Sequence, residues 1–170
     1  MDVFEAVRTV LAVRSYQSQA VPPAVIRRIV EAGWLTGSSM NQQPWHFIVV
    51  EEPEMLDRLG QLARSGPYLA QAPLAIVVAI EPTQYAVSDA SRAIQSMILT
   101  AWAEGVGSNW VGFHNLSEVN PLLAIPAKVE VLAVLAFGYP TQALGQGKKR
   151  RKPLAEVAHL GRFGTPFSDD

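Results

Sequence analysis

The 170 residues contain no cysteine. That removes disulfides, thiolate metal sites and cysteine nucleophiles, and with them the disulfide-stapled secreted domain. Charge is also scarce. Asp, Glu, Lys and Arg make up 17%, below the roughly 25% typical of soluble domains. Their sum of −1 sets up no global field toward nucleic acid or acidic lipid, so neither is expected as a partner. No basic stretch precedes an apolar run in Met1-Asp2-Val3-Phe4-Glu5, and a signal peptide is not expected there. No apolar run approaches the roughly 18 residues of a membrane span. The cytoplasm is the expected compartment. The three histidines, His46, His114 and His159, lack an i, i+4 partner, so no metal site is expected. His46 is read as a hydrogen-bonded core residue at a strand start, the other two as loop and surface residues.

What is abundant is apolar: 49% of the chain. Either the core is large for the length, or an apolar surface is covered by a partner chain. The spacing predicts a short amphipathic helix over 2–12, with Val3, Val7, Val10 and Leu11 inward. A second helix opens at Val21-Pro22-Pro23, where a missing N–H costs little, and turns Val25, Ile26, Ile29, Val30 and Trp34 inward. Residues 46–50 read as a buried strand, 54–64 as a helix, and 74–80 as a strand covered on both faces. The widest apolar stripe, over 88–104, predicts a central helix. Short strands follow at 109–113 and 131–137. From 141 onward the composition turns polar and basic, then forms a C-terminal arm. The expected arrangement is one mixed domain over 1–170, with a basic loop and arm at 141–170 and strands separated by helices.

Common chemical motifs fail. Gly105-Val106-Gly107-Ser108-Asn109-Trp110 lacks the final glycine of a dinucleotide fingerprint. No Gly-x-Ser-x-Gly elbow occurs. Three constellations remain. Ser38-Ser39-Met40-Asn41-Gln42-Gln43-Pro44-Trp45 crowds hydroxyls and amides between a helix end and a strand. This is either a capping turn or a set of donors and acceptors for the polar edge of a planar ligand. Lys148-Lys149-Arg150-Arg151-Lys152 is either a solvated run or a source of one or two phosphate ligands. Arg14-Ser15 is a weaker phosphate-binding pair.

Together these stretches resemble the nitroreductase superfamily. Ser-Ser-x-Asn-x-Gln-Pro-Trp is followed by a buried strand. Around it, in order, stand Arg14-Ser15, the Val-Pro helix, Ala72-Pro73, a long helix into Gly105–Gly112, Gly138-Tyr139-Pro140, and Lys149 to Pro153. The resemblance implies an α+β fold with a central, mostly antiparallel sheet flanked by helices, in an intertwined homodimer with FMN at the subunit interface. It implies Arg14, Ser15, Lys149 and Arg151 as phosphate and ribityl contacts. Ser38, Ser39 and Asn41 would be contacts from the second subunit, and Gln43 a further cofactor contact. Trp110, Val111 and Gly112 would face the flavin ring, with backbone amides near N5.

On this reading NADH or NADPH reduces the flavin, whose N5 carries the chemistry without a protein acid–base dyad. A nitroaromatic, quinone or similar acceptor then reoxidises it. Relatives with other flavin chemistry (dehalogenation, flavin fragmentation) and a non-catalytic flavin binder are the alternative readings. The first element departs from the family's usual Arg-x-Ser-x-Arg/Lys. Here it is Val13-Arg14-Ser15-Tyr16-Gln17, without the two flanking cations.

Overall fold

The computed structural model describes residues 1–64, 67–142 and 149–167. Lys148 and most of the loop expected after 141 therefore lie outside the described residues. The strands are β1 (Trp45–Val50), β2 (Leu74–Ile80), β3 (Gly107–Trp110) and β4 (Glu130–Gly138). The helices are α1 (Val3–Thr9), α2 (Pro23–Trp34), α3 (Pro53–Leu62), α4 (Ala86–Ala103) and α5 (Val119–Leu122). The sheet order is β1-β2-β4-β3, and every neighbouring pair is antiparallel. The expected α+β class with an antiparallel sheet is the observed one. The described residues include no helix long and apolar enough to cross a membrane.

The sheet is built from its middle. Every residue of β2 is buried, and its side chains alternate between two cores. Leu74, Ile76, Val78 and Ile80 pack with Ile26 and Ile29 of α2 and with Ala90, Ile94 and Met97 of α4. Ala75, Val77 and Ala79 face the other way, toward Leu56 and Leu59 of α3, Leu69 and Val119. β4 repeats the alternation, with Leu135 and Phe137 in the first core and Val134 and Ala136 in the second. Each large side chain so buried stabilises by about 1.5–3 kcal/mol. Period-two side chains that are apolar on both faces require helices on both faces.

Several sequence expectations change. α1 ends at Thr9, not 12, and buries Ala6 and Thr9, while Val3 and Val7 lie exposed. The buried position is held by a hydrogen bond, from Trp102 Nε1 to Thr9 Oγ1 at 2.9 Å, so the polar residue goes in and the valines stay out. Trp34 is 60% exposed because α2 ends there and none of the described residues covers that end. Among the described residues β1 pairs only with β2, and as an edge strand it leaves Val49 exposed. His46 is likewise not a core residue: its side chain is exposed beside Glu81, Nε2 to Oε1 3.2 Å. β3 begins two residues earlier than expected, at Gly107.

The first residue of β3 is also a point of close approach. After α1 the chain runs extended along the sheet edge. The Val13 N–H donates to the Ser108 carbonyl, and the Gln17 N–H to the Tyr139 carbonyl, both at 2.8 Å. A Cβ on Gly107 would sit 2.3 Å from Val13 Cγ2. Tyr16 is buried on the same strap, its hydroxyl donating to the Val13 carbonyl at 2.6 Å. Burial pushes its phenol well above the ordinary tyrosine range, so it remains a donor. Gly107→Ala is therefore expected to lower stability by about 1–3 kcal/mol through overpacking. Gly37→Ala, with nothing within 4 Å of the added Cβ, is expected to change it by no more than about 0.5 kcal/mol. Urea denaturation of both variants checks this, and equal effects would contradict the close approach.

Candidate functional site

A cleft of about 440 Å³ opens beside β3, where the strap after α1 passes. Val7, Val10 and Leu11 line it from α1 and the turn after it, Gln95 and Ile98 from α4, and Trp110 from the end of β3. Lys149 and Arg151 complete the lining from the returning chain. Among the described residues no carboxylate lines it. Lys149 Nζ donates to the Val7 carbonyl at 2.5 Å. Partial burial, and then the positive charge of Arg151, hold the Lys149 ammonium below its ordinary range. Two cations thus face one another's field, and an anion in the cleft would relieve both. Its volume is within the roughly 300–1,000 Å³ of small-molecule sites, and Trp110, 46% exposed, offers a flat apolar wall. The donor set and the walls fit a phosphate-bearing planar cofactor.

Arg14 and Ser15 line an adjoining depression of about 220 Å³ that shares Ala12 with the main cleft. The Ser15 and Thr141 hydroxyls are 2.8 Å apart. Arg14, Lys149 and Arg151 have no ion-pair partner among the described residues. The structure thus gathers Trp110, Lys149 and Arg151 in one cleft and sets Arg14 and Ser15 beside it.

The backbone at 110–112 is less open than expected. Val111 is buried and its N–H donates to the Val134 carbonyl at 2.9 Å. The Gly112 carbonyl accepts from the Arg64 N–H at 2.8 Å. The Val111 amide is therefore already committed within the sheet and does not face a ligand.

Ser38, Ser39, Asn41 and Gln43 do not line the cleft of their own chain. They follow α2 in a short 3-10 turn over Ser39–Asn41. Met40, Asn41 and Gln43 adopt left-handed backbone, with φ of 53°, 54° and 49°. Each such non-glycine residue costs on the order of 1–3 kcal/mol, asparagine the least. Local bonds hold the turn: Ser38 Oγ accepts from the Gln43 N–H at 2.9 Å, and Gln43 Nε2 donates to the Asn41 carbonyl and Oδ1 at 3.2 Å each. Asp89 of α4 accepts from the Ser39 N–H and hydroxyl, each at 3.0 Å, and pairs with Arg92. The buried Trp45, stacked on Phe47 at 6.2 Å, anchors the far end.

Sequence reasoning missed Asp89, Gln95 and Asn109. Asp89 had a legible signal, an acid at the helical spacing of the buried Ala93, Met97 and Ala101. Asn109 did not. Only the tertiary contact, Tyr68 hydroxyl to Asn109 Oδ1 at 2.9 Å, shows that it is fixed beside the cleft.

The nitroreductase family model matches residues 8–79 and 64–139. A protein of Methanothermobacter thermautotrophicus, provisionally named NADH dehydrogenase/NAD(P)H nitroreductase, is 34% identical over 85% of this chain and 81% of its own. A provisionally named nitroreductase from Desulfovibrio desulfuricans, solved in complex with FMN, is 30% identical with a TM-score of 0.84, covering 96% of this chain and 98% of that one. An FMN-dependent nitroreductase from Clostridium difficile gives 25% identity and a TM-score of 0.86, covering 94% and 99%.

Asp89 also carries a pH signature. Burial works against its charge, but the Ser39 N–H and hydroxyl and the Arg92 guanidinium outweigh it and hold the carboxyl below the ordinary value of 3.8. A group lowered on folding adds stability above its unfolded value and loses it as pH falls through the native one. Asp89→Asn is thus expected to be less stable than the parent at neutral pH, with the gap closing as pH falls below 3.8. Urea midpoints against pH test this, and a gap that stays constant into acid would contradict it.

Proposed function

The chain belongs to the nitroreductase family, and from that premise we propose that it is an FMN-dependent oxidoreductase that takes hydride from NADH or NADPH and reduces nitroaromatic, quinone or similar acceptors. The observation that carries this reading is the pair Lys149 and Arg151, two cations with no acid beside them among the described residues, at a cleft walled by Trp110. The relatives' names and the FMN complex of the Desulfovibrio neighbour support it.

Lys149 and Arg151 hold the cofactor phosphate, Arg151 through its planar fork and Lys149 as a point charge steadied by the Val7 carbonyl. Arg14 and Ser15 extend that site from the neighbouring depression. Trp110 and Gly112, with Val111 as buried support, border the ring. The cofactor supplies hydride acceptance and return at its N5, so the protein needs only to bind, orient and stabilise charge.

The second half of the site comes from another copy of the chain. Ser38, Ser39, Asn41 and Gln43 reach the cleft of the partner in a homodimer. Two observations support this: the four residues lie away from their own chain's cleft, and large apolar side chains stand exposed, Phe4 at 75%, Trp34 at 60%, Leu35 at 72% and Phe163 at 93%. Such surfaces are normally covered. The cytoplasm is the proposed compartment.

Purified protein is expected to be yellow, to release FMN on denaturation, and to be bleached anaerobically by NADH or NADPH. Arg151→Ala is expected to weaken FMN binding about tenfold or more, the loss of a charge-assisted bidentate contact. Arg150→Ala is expected to do much less, since Arg150 does not line the cleft. Equal effects of the two substitutions would remove the assignment. A colourless protein that takes up no added FMN would remove the function.

A further inference from the structure

Asp89 has 0% exposure and yet carries a charge on the apolar stripe of α4. The helix accounts for it only in part: Asp89 lies in the first turn of α4, where the helix dipole favours an acid. Asp89 is the fourth residue of α4, its own N–H bonds the Tyr85 carbonyl at 2.9 Å, and its carboxylate caps none of the helix's free N–H groups. Arg92, one turn on, pairs with it, but its side chain is 55% exposed and such a pair is screened by water. An ionised carboxylate must be hydrogen-bonded to be buried. The bonds that complete this one come from Ser39, 50 residues away in the chain.

The far end of those bonds is the strained turn. Ser39 immediately precedes the left-handed Met40 and Asn41. Such residues persist only where their surroundings over-determine them, and they cluster at ligand clamps. Asp89 grips Ser39 at two points, amide and hydroxyl, and so fixes both the position and the rotation of the turn's first residue. An ionised carboxylate only accepts, so the Ser39 hydroxyl proton is committed inward. Toward a ligand, Ser39 has only lone pairs to offer.

We propose that Asp89 is a positioning residue for cofactor binding: through Ser39 it holds the 38–43 turn, with its left-handed Met40, Asn41 and Gln43, in the form in which it meets FMN, and it makes the Ser39 hydroxyl an acceptor toward the ligand. This rests on the functional reading above, in which that turn contacts FMN. Asp89 itself touches no cofactor.

The full-length protein, stripped of flavin, is titrated with FMN, and the dissociation constant is read from quenching of flavin fluorescence. Circular dichroism verifies that each variant is folded at the working temperature. Asp89→Asn keeps the shape but replaces an acceptor with a donor opposite Ser39. It is expected to weaken FMN about tenfold or more. The discriminating measurement is the double-mutant cycle with Asn41→Ala, which removes a contact on the turn itself. If Asp89 acts through the turn, Asn41→Ala adds little in the Asp89→Asn background. If Asp89 serves only the fold, the two losses multiply.

An FMN constant within about twofold of wild type for folded Asp89→Asn overturns the proposal, and so do multiplying losses. Should Asp89→Asn fail to fold, Ser39→Ala takes its place, since it removes one grip and leaves the charge. Its cycle with Asn41→Ala is read in the same way, and unchanged FMN affinity again overturns the proposal. A wild-type protein that takes up no FMN removes the functional reading and this inference together. Wild-type binding that survives unchanged in Asp89→Asn removes this inference alone.

Discussion

The pairing of β2 with β4, covered on both faces, constrains most of what surrounds it. Once Ile76 and Leu135 face one way and Val77 and Val134 the other, helices must lie above and below the sheet. α4 takes the centre of one face because its buried stripe is small, with Ala90, Ala93 and Ala101 beside Ile94 and Met97. Small residues let a helix lie close against a sheet. The chain's other business is pushed to the edges. β1 closes one edge and leaves its own outer side half-exposed. β3 ends the other, and there the strap after α1 can approach only because residue 107 has no side chain.

The cleft follows from that edge. A sheet that stops at β3, with α1 and α4 on either side, leaves a gap that the strap does not fill. Its electrostatics are lopsided in a consistent way. Among the described residues the cations that reach it pair with no acid, whereas four of the eight other described arginines carry a carboxylate partner: Arg8 with Glu5, Arg27 with Glu31, Arg28 with Glu104 and Arg92 with Asp89. In a chain with so little charge, leaving Arg14, Lys149 and Arg151 unpaired at neighbouring depressions is a cost that binding an anion would offset.

The turn at 38–43 shows the same division between local and distant causes. Its serines and amides satisfy one another locally, as a capping turn would, yet the left-handed Met40, Asn41 and Gln43 are not what local bonding alone favours. The additional restraint comes from a buried charge on α4. The exposed Trp34, Leu35 and Met40 nearby form an apolar border that a second chain is suited to cover.

Much of this was legible in the residues. The continuous apolar runs at 74–80 and 131–137 determined two strands buried on both faces, because period-two packing leaves no polar side for water. The stripe from Ala90 to Trp102 determined the central helix, and Ser-Ser-x-Asn-x-Gln-Pro-Trp together with the order of elements around it pointed to the family. Sequence could not say which way the short α1 would turn, since Thr9 is buried through a bond to Trp102 93 residues away. Nor could it foresee that the Val111 amide would be used inside the sheet, that His46 would lie outside the core, or that Asp89 would reach back to Ser39. Those outcomes depend on contacts between segments far apart in the chain. Periodicity reports which side of an element is apolar, but only the assembled structure decides which partner each polar group finds.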